Sequence, residues 1–136
     1  MPVSSGSDCP EFQILLASAR ASLGLQRSDR LRALLSQPVD WTHFRELARR
    51  HSAAPLVYSF LSADCSGLIP EPVLDNMRSQ QKLVLSRNLQ LMAGLLQVTD
   101  LFERHGTPVL AYKGPLLATA VYGNLSHRSS VDIDLL

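Results

Sequence analysis

Two acids set two residues apart, Asp132 and Asp134, have the types and spacing best suited to chemistry. The run Val131-Asp132-Ile133-Asp134-Leu135-Leu136 alternates apolar and acidic with period two, the pattern of a strand with two carboxylates on one face. Two residues of strand span roughly 6.5–7 Å, so both carboxylates can converge on one hard cation. Magnesium (or manganese) is the natural ion. Magnesium is held by one or two carboxylates plus substrate phosphates, and two-metal sites that clamp an in-line phosphoryl displacement are built from shared carboxylates. Upstream, Lys113 and Gly114 make a turn, and Lys113 with the start of the following helix offers positive charge and backbone donors to a triphosphate. The bland alternatives are a strand with a solvated polar face for the acids and an exposed turn lysine for Lys113. Gly114 serves close approach or positive φ under either reading. Ile133 and Leu135, on the opposite face, are expected in the core.

Holding these residues requires strand, glycine turn, short helix, loop and strand. Val109–Tyr112 is a short apolar run behind Pro108, which suits a buried strand better than a helix. Pro115 fits the first position of a helix, where its missing N–H costs nothing, and Leu116, Leu117, Ala120 and Val121 supply an apolar face. Gly123 ends that helix as a left-handed cap, and a polar loop runs from Asn124 to Ser129. His127 and Ser129 read as loop residues rather than catalysts, and Tyr122 packs the helix end.

Lys113-Gly114, Tyr122-Gly123, Arg128 and Asp132-Ile133-Asp134-Leu135-Leu136, in that order, resemble the pattern of the uncharacterised nucleotidyltransferase family of the DNA polymerase beta-like superfamily. Asp40-Trp41, His51, Pro55-Leu56 and Pro70 resemble that family's helical N-terminal segment, so the likeness extends from about Ser28 onward. The resemblance implies an α+β chain: a mostly helical N-terminal region, then the first strand-turn-helix-strand of a polymerase beta-like nucleotidyltransferase domain. It implies transfer of a nucleoside monophosphate from a nucleoside triphosphate, such as ATP, to the hydroxyl of an unknown acceptor, a protein or small molecule. Asp132 and Asp134 would be catalytic metal ligands, with Lys113, Gly114 and Arg128 contacting the nucleotide. Arg128 instead has the option of pinning its loop by pairing with either aspartate.

Two departures from the superfamily stand out. Members commonly carry Gly-Ser or Gly-Gly after the first strand, whereas Pro115 follows Gly114 here and has no N–H to give. The superfamily's third carboxylate comes from a later strand, and Asp100 and Glu103 precede the expected sheet. A chain ending at Leu136 is therefore expected to be impaired in catalysis and to be a fragment of something longer, its last strand free to self-associate. The rival functional class is a non-catalytic helical interaction module.

Upstream, the sequence divides into a flexible tail over 1–9, a helical region over 10–105 and the partial nucleotidyltransferase core over 106–136. Asp8 is a candidate cap for a helix near Pro10 with Phe12, Leu15, Leu16, Ala19 and Leu23 as its stripe. Ser28 opens a second helix through Leu31, Leu34 and Leu35, and Asp40 caps a third with Trp41, Phe44, Leu47 and Ala48 inward. Arg45, Arg49 and Arg50 form that helix's solvated face. A fourth helix follows over Ala53–Leu61. From Pro72 to about Arg104 apolar residues recur at helical spacing, a helix of about 45–50 Å expected to act as the spine. Gly94 marks a close contact or bend in it, and Gln81, Asn88 and Asp100 spoil a coiled-coil seam.

The totals narrow the partners. With 136 residues, 46% hydrophobic and 18% charged, the chain suits a globular fold, and a net charge of +1 without a basic stripe argues against nucleic acid. No apolar run approaches the ~18 residues of a membrane span, and Met1–Pro10 lacks the regions of a signal peptide, so no membrane partner and a cytoplasmic location are expected. Cys9 and Cys65 lack metal-ligand spacing and read as reduced structural thiols rather than zinc ligands.

Overall fold

A computed structural model describes residues 9–136. The tail expected over 1–9 lies mostly outside this range, as does the cap assigned to Asp8. Six α-helices follow in order: α1 Pro10–Ser22, α2 Ser28–Leu35, α3 Trp41–Arg50, α4 Ala54–Asp64, α5 Glu71–Arg104 and α6 Pro115–Tyr122, with a short 3-10 turn at Ser66–Leu68 between α4 and α5. Two compact units divide after Gln80, within α5.

In the first unit, local signals set the helix ends. The Asp40 carboxylate accepts from the backbone N–H groups of Thr42 and His43, both at 3.0 Å, satisfying two otherwise orphaned donors at the start of α3. Proline stands in the first turn of α1 and of α4, where no N–H is needed. Ile14, Leu15, Leu31, Leu35, Phe44, Val57, Leu61, Val73, Leu74 and Met77 are buried together as one core. The stripe expected on α1 is met in part: Leu15 is buried, and Phe12 and Ala19 are half-buried. Leu16 and Leu23 are 40% and 47% exposed, while Ile14, Ala17 and Ala21 turn inward. Packing against α2, α3 and α4, rather than the largest side chains, selects that face.

The second unit corrects the expected fold class. The described residues form no strand and no sheet, so the architecture is all-helical and not α+β with a strand-turn-helix-strand. The segments 110–112 and 134–136 do approach antiparallel. Leu110 and Leu136 exchange both backbone hydrogen bonds at 2.8 Å, Tyr112 N–H reaches Asp134 O at 3.4 Å, and a single isolated bridge pairs Ala111 with Leu135. The pairing is brief for a local reason. The Lys113-Gly114 turn leads the chain away from it at one end. Two short segments alone do not make a stable sheet.

Helix α6 begins as expected at Pro115 and ends at Gly123 in the left-handed conformation (φ 66°, ψ 8°). Its buried residues are Pro115 and Ala118, whereas Leu116 and Val121 are exposed, a rotation of the expected face. Gly94 is a close contact, since a Cβ there would meet the Ile133 Cδ1 methyl at 3.5 Å. No described helix is long and apolar enough to cross a membrane.

Candidate functional site

The second unit contains a cleft of about 270 Å³ lined by Lys113, Gly114, Arg128, Ser130, Asp132 and Asp134, among others. All five residues singled out for chemistry thus border one space, although no ladder holds them. Three local devices do so.

The first is Gly114. Its backbone (φ 66°, ψ −141°) lies in a region essentially reserved for glycine, and a Cβ would stand 3.0 Å from the Asp132 carbonyl oxygen. The turn is therefore pressed against the acidic segment, and any side chain would push them apart.

The second is Asn88, fully buried on α5. Its amide nitrogen donates to the carbonyl of Leu125 and, at 2.7 Å, to that of Arg128. One side chain thereby anchors both ends of the stretch that presents Arg128. Asn124 completes the loop, its Oδ1 accepting from the Ser126 N–H at 2.8 Å and the Ser126 hydroxyl at 2.7 Å. Sequence reasoning treats Asn88 only as a break in a heptad. The signal was a polar residue in an apolar helical stripe, which when buried needs partners.

The third is the alternation around Ile133. Its side chain lies over Gly94, and Asp132 and Asp134 on either side line the cleft. Period two in the sequence thus describes an extended segment here, not a sheet strand.

The cleft carries both signs of charge. Lys113 is exposed, with Nζ 4.9 Å from the centroid of the Tyr112 ring. Its pKa is raised, first by hydrogen bonding to Tyr112, then by that group's field and those of Asp134 and Asp132, so it is a firm cation. Arg128 Nη1 approaches the Gly114 carbonyl at 3.5 Å, and none of the described ion pairs joins it to Asp132 or Asp134. Burial lowers the pKa of His127, which keeps its imidazole neutral at pH 7. Ser130 is 4% exposed, and its hydroxyl oxygen has no hydrogen-bond partner. No third carboxylate, imidazole or thiol of the described residues closes around the two aspartates.

No curated protein and no solved structure matches the chain. A family model does match, over residues 37–136, a span taking in α3 to α6 and every residue of the cleft. By that match the chain belongs to the uncharacterised nucleotidyltransferase family.

Proposed function

We propose that the cleft binds a nucleoside triphosphate with a divalent cation and serves transfer of a nucleoside monophosphate to an acceptor hydroxyl, pyrophosphate leaving. The observation that carries this reading is the meeting of two carboxylates and two cationic side chains on one small cleft. A polyanion is attracted by Lys113 and Arg128 but repelled by Asp132 and Asp134. Asp132 and Asp134 offer the side-chain oxygens that hard cations such as magnesium or manganese take, and an ion held by them would offset that repulsion.

Asp132 and Asp134 would hold the ion, which supplies charge stabilisation to the phosphoryl oxygens as pyrophosphate departs. Lys113 would neutralise a phosphate from the exposed side of the turn. Arg128, directed toward the cleft by the Asn88 anchor, would contact another. Ser130 also lines the cleft, but its hydroxyl oxygen is buried and does not replace the backbone donor that Pro115 lacks. Gly114 allows the close approach of the turn that all of this requires.

Calorimetry with ATP and GTP in the presence of magnesium tests the reading. Metal-dependent binding is expected, and Asp132→Asn and Asp134→Asn should each weaken it by at least about tenfold, since even outer-shell changes at metal sites cost that much. Binding that ignores both substitutions would discard the metal-site reading and leave the helical interaction module.

A further inference from the structure

We propose that Cys9, Glu11 and His43 form a zinc site in the first unit, fastening the start of α1 to the start of α3. One sulfur, one carboxylate oxygen and one imidazole nitrogen lie within 4.8 Å of one another. These are the three donor types that zinc takes, and three protein ligands with water in the fourth position is an established arrangement for it. The site shares no residue with the nucleotide cleft and stands or falls independently of it.

Glu11 is the centre of the argument. It is 8% exposed, an uncommon position for a carboxylate. Its Oε1 accepts from the Asp40 N–H at 2.9 Å, which orients the group as outer hydrogen bonds orient metal-ligating carboxylates. Its Oε2 faces the Cys9 thiol, Sγ to Oε2 being 3.1 Å. A thiol is a weak donor for a buried charge. Zinc would replace that S–H···O contact: a zinc–sulfur bond forms, the thiol proton leaves to solvent, and Oε2 turns from the proton to the metal.

His43 completes the set from the first turn of α3, where its backbone N–H is fixed by Asp40 Oδ1 at 3.0 Å. Its exposed ring can turn without disturbing the core. The Asp40 residue therefore supports two of the ligands, one through its N–H and one through its carboxylate.

Titration of the full chain with cobalt(II), then competition with zinc, tests the site. A thiolate-to-cobalt charge-transfer band in the near ultraviolet should appear and be displaced stoichiometrically by zinc, and zinc should raise the thermal midpoint. Cys9→Ser should abolish the band, and both it and His43→Gln should lower zinc affinity at least about tenfold. Cys65→Ala should keep the band, because that thiol is buried elsewhere in the core. Circular dichroism separates lost binding from lost folding, and exposed His43 is a variant expected to fold normally. Absence of the cobalt band in the native chain, or undiminished zinc affinity in folded His43→Gln, would overturn the proposal.

Discussion

Residues 9–80 and 81–136 are held by different physics. The first unit buries a continuous set of aliphatic and aromatic side chains from four helices and the opening turns of a fifth. In the second, Leu95 and Ala118 are buried among the apolar residues, while Leu83, Leu89, Leu96 and Leu101 on α5 are more than half exposed. There Asn88, Ser126 and Ser130 are buried polar groups, and shape comes from hydrogen bonds and glycine geometry. Apolar burial is non-directional and tolerant of detail, whereas a buried amide or a glycine-only turn aims particular side chains at particular places. The residues that line the nucleotide cleft are held in the second way.

The contrast predicts an order of mutational costs. Phe44→Ala should be the most damaging, at about 3–5 kcal/mol, because its fully buried ring leaves a cavity in the core. Trp41, the single tryptophan, packs edge-on against Phe44 with centroids 5.6 Å apart, so its fluorescence reports the loss during denaturant unfolding. Asn88→Ala should cost about 1–3 kcal/mol by stranding two carbonyls. Amide exchange should show the damage as lost protection over residues 125–128. A larger cost for Asn88→Ala than for Phe44→Ala would invert the contrast.

The smallest effect concerns pH. Burial lowers the His127 pKa below its ordinary 6.5, so folding favours the neutral ring. As pH falls below that value the unfolded chain takes up the proton first. Stability is therefore full above pH 6.5 and is lost progressively below it, down to the folded-state pKa. His127→Gln should flatten the slope of stability between pH 7 and 5, measured by thermal unfolding. An unchanged slope would mean that the ring is not held neutral by burial.

Much of the helical organisation could be read locally. The Asp40 cap, the first-turn prolines and the Gly123 terminus act within one turn of chain, so a residue and its near neighbours carry the whole interaction. Helix faces were less legible, because α1 and α6 present whichever side their neighbours cover, and hydrophobic periodicity alone left Leu16 and Leu116 on the wrong side.

What the sequence determined by itself is the set of helices and the membership of the family whose model matches residues 37–136. Tertiary structure alone decided that extended segments stop short of a sheet, that Asn88 grips a loop 37 and 40 residues away in sequence, and that Cys9 and Glu11 meet His43. Caps and turns draw on interactions inside a few residues, whereas ladders, anchors and ligand clusters depend on which distant groups the folded backbone brings within hydrogen-bonding reach, and no local pattern specifies that.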